Sequence, residues 1–145
     1  MPNSTRQLAA IMFTDIVGYT KLMGENEQEA LQLLRKNRQL HKSIIKKHHG
    51  KWLKEMGDGI LASFNTATDA VRCAGAIQNQ AKKEDIELRI GIHLGDVVFE
   101  GDDVWGDGVN VASRLEEIAE ADSIYISGAI YNNVRNKEGI KTEFI

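Results

Sequence analysis

The sequence predicts an α+β sandwich, in which helices pack on a mostly antiparallel sheet. Three observations lead to this prediction. Segments with the apolar patterns of strands occur in neighbouring pairs, segments with helical spacing of apolar residues lie between them, and 145 residues suffice for about one domain. The predicted order of elements, β α β β α β β α β α β, is typical of this class.

The first half of the chain predicts one strand, one long helix and one hairpin. Residues 8–13 form a continuous apolar run, which is typical of a buried strand. Residues 27–49 carry apolar side chains at helical spacing, and a glycine follows them as a stop signal. Residues 51–55 and 59–64 flank a Gly-Asp-Gly turn, so they predict a hairpin with an aspartate at its tip.

The second half alternates between helices and strands. Thr66 or Thr68 is placed to cap a helix that runs to Lys83. Residues 87–94 alternate between polar and apolar side chains, which predicts a strand with one buried face. The remaining predicted elements are strands at 97–100, 123–127 and 141–145 and helices at 109–119 and 130–134.

Charge and composition argue against several classes of function. The chain has 18 basic and 21 acidic residues and a net charge of −3, so it lacks the basic field of proteins that hold nucleic acid non-specifically. No segment approaches the roughly 20 apolar residues of a membrane-spanning helix, and the N-terminus lacks a signal-peptide layout. We therefore expect a cytoplasmic protein with no membrane segment and no nucleic-acid partner.

Cysteine and histidine offer little support for a zinc site or a nucleophile. Cys73 lies in an Ala-rich apolar stretch, where we expect a buried thiol and a reducing compartment. We place His41, His48 and His49 on the polar side of the long helix and His93 on a strand face. We expect all four histidines to be solvated or to belong to the core.

Two aspartates at strand ends are the first candidate functional residues. Asp15 follows the apolar run, in a turn that contains Gly18, and Asp58 lies between Gly57 and Gly59. Glycines let backbone approach a ligand closely, and carboxylate oxygens suit Mg²⁺ or Mn²⁺ rather than zinc. The pair therefore predicts a two-metal site for a nucleoside triphosphate. The alternative is ordinary turn chemistry, in which Asp beside Gly is common.

A third motif lies in residues 103–116. Asn110 and Arg114 are one helical turn apart there and share a face, although Arg114 could instead form an ion pair with Glu117. Together with the two aspartate motifs, in this order along residues 8–145, the motif makes the chain resemble the catalytic domain of the bacterial class III adenylate/guanylate cyclases. The resemblance implies a ferredoxin-like, palm-type form of the predicted sandwich.

The resemblance also implies a reaction. In this family two aspartates bind two divalent ions, and the matching positions are Asp15 and Asp58, with the Ile16 carbonyl as a further ligand. The chemistry implied is conversion of ATP to 3′,5′-cyclic AMP and pyrophosphate with two Mg²⁺ or Mn²⁺ ions. The ions would lower the pKa of the ribose 3′-hydroxyl and hold the triphosphate.

Substrate-binding and transition-state residues are carried over in the same way. The backbone of Val17, Gly18, Tyr19 and Thr20 would hold phosphates at a helix start. The family's Asn that positions the ribose and Arg that offsets charge on the phosphate fall on Asn110 and Arg114.

Base choice in the family depends on two positions that match Lys54 and Asp103. An ammonium donates to N1 of adenine and a carboxylate accepts from its exocyclic amine, so this pair favours ATP over GTP. The alternatives are a solvated strand lysine and an ordinary loop carboxylate, and Asp102 is a neighbouring choice of register.

The family's sites lie between two chains, which implies a homodimer with two shared sites. The family also contributes a phosphate-binding lysine from a strand beyond the matched region, and Lys141 is too early for it. We therefore expect residues 1–145 to be a single catalytic domain truncated at its C-terminus. Other hypotheses are a guanylyl cyclase, a non-catalytic nucleotide-binding or dimerisation module, and a metal-dependent phosphohydrolase, which would not require Asn110 and Arg114.

Overall fold

The computed structural model describes residues 4–101 and 103–145. The described chain contains both helices and strands, intermixed along its length. In chain order they are β1 (Ser4–Ile16), α1 (Tyr19–Glu25), α2 (Glu27–Lys47), β2 (Lys51–Met56), β3 (Gly59–Phe64), α3 (Ala67–Lys83), β4 (Leu88–Glu100), β5 (Asp103–Trp105), α4 (Asp107–Ile118), β6 (Ser123–Ile126) and α5 (Gly128–Val134).

The strands form one sheet, with the order β2-β3-β1-β4-β5 and antiparallel pairing between all neighbours on this path. β6 adds to it by pairing in parallel with β4. The long central pair runs from Ser4 opposite Glu100 to Ile16 opposite Leu88. The predicted α+β class, with helices on a mostly antiparallel sheet, is confirmed.

The two faces of the sheet have separate cores because successive strand residues point to opposite sides. Ala10 and Met12 of β1 belong to the larger cluster, which helices α2, α3 and α5 cover. Ile11 belongs to the smaller cluster on the other face, where Ala112 of α4 packs. Cys73 is fully buried in the larger cluster, as predicted, and burial raises the pKa of its thiol to about 12.

Helix α4 lies directly on the backbone of β4. A Cβ atom at Gly91 would stand 2.4 Å from the backbone nitrogen of Glu116 and 2.6 Å from the carbonyl oxygen of Ala112. Only glycine permits this approach, because the obstructing atoms are helix backbone and cannot rotate away. The contact fixes how α4 is turned about its own axis.

Several predicted elements are confirmed and others are wrong. Thr66 caps α3, where its hydroxyl accepts from the N–H of Asp69, and the helix ends at Lys83 as predicted. The predicted separate strand at 97–100 is wrong, because β4 continues unbroken along the whole of β1. On its other side, the end of β4 pairs antiparallel with β5, a short strand that was not predicted. Residues 141–145 are not a strand, since no described strand pairs with them.

One histidine position was also predicted wrongly. His41 is fully buried rather than on the polar side of α2. Its Nδ1 lies 2.9 Å from the carbonyl oxygen of Asn37 and its Nε2 lies 2.9 Å from the hydroxyl of Thr14. A carbonyl only accepts, so Nδ1 carries the proton and Nε2 accepts from Thr14.

Within residues 4–101 and 103–145, no helix is long and apolar enough to cross a membrane.

The variant Gly91→Ala is expected to destabilise the fold, because the added methyl group would push α4 away from β4. Forcing a methyl into a packed contact costs about 1–3 kcal/mol of unfolding free energy, which urea denaturation would measure. Gly75→Ala is the matched control, since a Cβ at Gly75 of α3 meets nothing within 4 Å. That control is expected to gain up to about 1 kcal/mol from helix propensity. Equal stability of Gly91→Ala and the wild type would contradict the proposed close packing.

Candidate functional site

Asp15 is held at the end of β1 by an arginine from the neighbouring strand. Arg89 lies directly opposite Asp15 in the β1–β4 register. Its Nε donates to Oδ1 at 3.0 Å and its Nη2 donates to Oδ2 at 2.7 Å, so the pair is bidentate. This hydrogen bonding to Asp15 raises the pKa of Arg89. Arg89 could not be identified from the sequence, because strand register cannot be obtained from local pattern.

Asp58 reaches the same place from the β2–β3 turn. Gly57 takes φ of 61° at the first turn position, which lets the strands close with only two residues between them. Oδ2 of Asp58 then accepts from the N–H of Ile16 at 2.9 Å. Burial is the main cause of a raised pKa at Asp58, and the negative charge of Asp15 adds to it. The structure thus brings together the two aspartates that the sequence singled out.

A third carboxyl group adjoins them. Glu116 of α4 is 3% exposed, and its Oε2 lies 3.6 Å from Nε of Arg89. Burial, and then contact with Asp15, raises the pKa of Glu116 above its ordinary value. A sequence signal for it exists: Gly108, Ala112 and Glu116 form the buried stripe of α4 at four-residue spacing.

The donor set fits a hard divalent cation. A carboxylate offers about four lone-pair sites, and Arg89 takes two of those on Asp15, so capacity for a cation is left. Asp58 adds a second carboxylate, and Ile16, whose carbonyl is the further predicted ligand, is the last residue of β1 and follows Asp15 directly. The described ranges contain no cluster of three or more His, Cys, Asp or Glu side chains suited to a metal. Backbone, phosphate and water oxygens would therefore complete the coordination, as is usual for Mg²⁺.

The turn after Asp15 begins α1. Gly18 is its N-cap, with φ of 79° in the left-handed region. The N–H of Val17 donates to the carbonyl of Glu87 at 2.9 Å. Phosphate contacts in this turn would therefore rest on the N–H groups of Gly18, Tyr19 and Thr20, since the first N–H groups of a helix have no partner within it.

Asn110 and Arg114 are exposed and share one face of α4. Successive helix residues are about 100° apart, so Arg114 points about 200° away from Glu116. Glu116 faces the Asp15 end of the sheet, and Asn110 and Arg114 consequently face away from it. Among the described residues, Arg114 forms no ion pair, and the alternative pairing with Glu117 is not seen.

Lys54 and Asp103 meet although they belong to opposite edges of the sheet. Nζ of Lys54 lies 3.1 Å from Oδ1 of Asp103, and both side chains are exposed. The same Oδ1 accepts from the N–H of Val104 at 2.8 Å. These two contacts, first with the Val104 N–H and then with Lys54, lower the pKa of Asp103. The alternative residue Asp102 lies outside the described residues.

Strand β2 contains a β-bulge that was not predicted from the sequence. The β2–β3 register changes between Trp52, which is opposite Ala62, and Lys54, which is opposite Leu61. Leu53 is the extra residue. A bulge of this kind is specified by contacts on both faces of a strand, and no residue within 51–56 marks it as a glycine would.

Several known proteins with similar sequences are nucleotide cyclases. The sequence profile of the adenylate and guanylate cyclase catalytic domain matches residues 1–144. The curated protein "Putative adenylate cyclase 3" of Rhizobium meliloti is 39% identical over 144 residues, which are 93% of this chain and 24% of that protein. An adenylate cyclase of Streptomyces coelicolor is 33% identical over 83% of this chain and 32% of its own length. The chain thus spans about a quarter to a third of these curated relatives.

Solved structures share the fold. An adenylate/guanylate cyclase/hydrolase from Silicibacter pomeroyi has a TM-score of 0.86 and 40% identity, covering 94% of this chain and 85% of that one. The adenylyl cyclase CyaB from P. aeruginosa has a TM-score of 0.85 and 27% identity, covering 92% and 83% of the two chains.

Stability is expected to fall as the pH is lowered from about 6.5 to about 4, because His41 behind the site stays neutral in the fold. Burial lowers its pKa from 6.5 to about 4. Between these values the unfolded chain takes up a proton that the folded chain does not, so the unfolding free energy decreases, by on the order of 3 kcal/mol in total.

The measurement is urea denaturation at several pH values for the wild type and His41→Gln. The variant lacks this titration, so its unfolding free energy is expected to decline less over that range. Parallel curves for the two proteins would contradict the buried neutral state of His41.

Proposed function

This chain belongs to the adenylate and guanylate cyclase catalytic domain family, and we propose that it forms 3′,5′-cyclic AMP and pyrophosphate from ATP. The observation that supports ATP most directly is the contact between Lys54 and Asp103, the two residues expected to recognise the base. We further propose that the reaction uses two Mg²⁺ or Mn²⁺ ions and takes place in the cytoplasm.

Asp15 and Asp58 would hold the ions, together with the carbonyl of Ile16. When bound, divalent ions lower the pKa of the ribose 3′-hydroxyl and stabilise the charge of the leaving pyrophosphate. Arg89 keeps Asp15 in one rotamer through two hydrogen bonds, and the Ile16 N–H does the same for Asp58. The two carboxylates are therefore already oriented before a ligand arrives.

Arg114 and Asn110 would act on the reacting phosphate and on the ribose. The guanidinium is permanently charged and planar, so it can donate two hydrogen bonds to phosphate oxygens as charge develops on them. The amide of Asn110 would orient the ribose so that its hydroxyl is in line with the α-phosphorus. Both side chains are exposed on α4 and thus accessible to a substrate.

These two residues face away from the aspartates of their own chain, which supports a site shared between two chains. A two-fold axis would bring Asn110 and Arg114 of each chain to the aspartates of the other. We propose a homodimer with two equivalent sites on this basis.

Lys54 and Asp103 would recognise adenine. N1 of adenine accepts from an ammonium, and the neighbouring exocyclic amine donates to a carboxylate. Adjacent atoms of the base would thus meet adjacent groups of the protein, since Nζ and Oδ1 are 3.1 Å apart.

Incubation of the domain with ATP or GTP and Mg²⁺ or Mn²⁺ is expected to yield cyclic AMP from ATP, identified by mass. Asp103→Ala is expected to reduce the ratio of kcat/KM for ATP to that for GTP by about tenfold or more, since it removes a charged hydrogen-bond acceptor. Asp58→Asn serves as the control for metal-independent turnover. Cyclic GMP as the main product of the wild type would contradict the choice of substrate.

Mixing two inactive variants tests the shared site. Asp15→Ala and Arg114→Ala are each expected to be inactive, and a one-to-one mixture is expected to recover about a quarter of the wild-type rate. Half of the dimers would be mixed, and each mixed dimer would have one intact site. No recovery by variants that are folded and shown to exchange chains would exclude shared sites.

A further inference from the structure

The β-bulge in β2 decides which face of the sheet Lys54 occupies. Lys54 lies opposite Leu61, which belongs to the cluster on the α4 face of the sheet. Trp52 lies opposite Ala62, which belongs to the cluster on the α2 and α3 face. In a regular strand Trp52 and Lys54 would share a face. The extra residue, Leu53, is what turns Lys54 toward Asp103.

Helix α2 holds the strand on both sides of this bulge. Nε of Arg38 donates to Oε1 of Glu55 at 2.9 Å. One turn further along the helix, Nζ of Lys42 lies 5.0 Å above the ring of Trp52. Trp52 and Glu55 are three residues apart, so in a regular strand they would point to opposite faces. Both can contact α2 only because the bulge lies between them.

The contact with Arg38 satisfies only one of the two carboxylate oxygens of Glu55. Its other carboxylate oxygen, Oε2, is buried and has no hydrogen-bond partner among the described residues. A buried oxygen without a partner is costly, and such groups are uncommon in folded proteins. The ion pair with Arg38 is therefore the contact that keeps a charged residue at this position in the strand.

The exact position of Lys54 matters because a Lys and Asp pair favours adenine in only one order along the base. Adenine offers a donor at position 6 and an acceptor at N1, and guanine offers an acceptor at position 6 and a donor at N1. The same two side chains fit guanine if their order along the base is reversed. Selection therefore depends on which residue stands nearer position 6.

Asp103 is fixed by its own backbone, since Val104 donates to it at 2.8 Å. Lys54 has a long side chain, so its position depends on where the strand holds its Cα. We propose that Arg38 and Glu55 are positioning residues for base selection: their ion pair holds the bulge at Leu53, and the bulge sets the order of Lys54 and Asp103 along the base. This inference rests on the proposed function.

The test compares Arg38→Gln with the wild type and with the double variant Arg38→Gln/Glu55→Gln. Arg38→Gln is expected to lower the ratio of kcat/KM for ATP to that for GTP by about tenfold. The effect should arise mainly in KM, because Asn110 and Arg114 are unaffected. The double variant, which carries no unpaired carboxylate and can form a neutral amide pair, is expected to regain part of the ratio.

Lys36→Gln is the matched control. Lys36 also lies on α2 and pairs with a glutamate, at 3.8 Å from Glu84, but this contact does not involve β2. The ratio of kcat/KM for ATP to that for GTP in Lys36→Gln is expected to equal the wild-type ratio. The inference is overturned if Arg38→Gln folds, as judged by circular dichroism, and its ratio of kcat/KM for ATP to that for GTP stays within about twofold of the wild-type ratio.

Equilibrium binding of 3′-deoxy-ATP and 3′-deoxy-GTP, which lack the attacking hydroxyl, separates this inference from the proposed function. The ratio of the two Kd values is expected to change in Arg38→Gln even if no chain forms a cyclic nucleotide. An inactive wild type would overturn the proposed reaction, and an unchanged ratio of Kd values would overturn the positioning role. If Arg38→Gln does not fold, Lys42→Ala is used instead, because it removes the second contact of α2 with β2. A change in its kcat/KM ratio and in its Kd ratio for the two nucleotides would support the positioning role, and unchanged ratios would overturn it.

Discussion

The packing of α4 on the backbone of β4 at Gly91 is the constraint on which the arrangement of the site depends. Because no side chain separates the helix from the strand there, α4 cannot turn about its axis. One side of the helix must then place Glu116 beside Arg89, and the other side must present Asn110 and Arg114 to the outside. The two aspartates proposed to hold metal and the two α4 side chains proposed to act on the ribose and the reacting phosphate therefore point in different directions within one chain.

Three carboxyl groups and one guanidinium group lie close together at the Asp15 end of the sheet. Arg89 forms a bidentate ion pair with Asp15, and burial raises the pKa of Glu116 beside it. Among the described residues, Asp58 has no basic side chain bound directly to it, and burial, followed by the negative charge of Asp15, raises its pKa. A divalent cation would relieve the repulsion between Asp15 and Asp58, which gives the site a physical reason to bind one.

The sequence paired Asp15 with Asp58 through their turn motifs, and the family resemblance paired Lys54 with Asp103; the fold brings the two members of each pair together. Arg89 and Glu116 could not be predicted, since they act through strand register and through the burial of a polar residue in a helical stripe. The same limit explains errors in the fold. The predicted break near Gly95 is absent because β4 pairs with β1 on both sides of it, and His41 is buried because Asn37 and Thr14 satisfy both ring nitrogens.

A paramagnetic metal can show whether each site is shared between two chains. A ¹⁵N-labelled chain with Asp15→Asn would be mixed with unlabelled wild-type chain and 3′-deoxy-ATP, and Mn²⁺ would then be added, with Mg²⁺ as the diamagnetic reference. If the site is shared, Mn²⁺ held by the unlabelled partner is expected to broaden the Nε–H signal of Arg114 in the labelled chain. A sharp Arg114 signal in mixed dimers, together with broadening in a labelled chain that retains Asp15 and has no partner, would contradict a shared site.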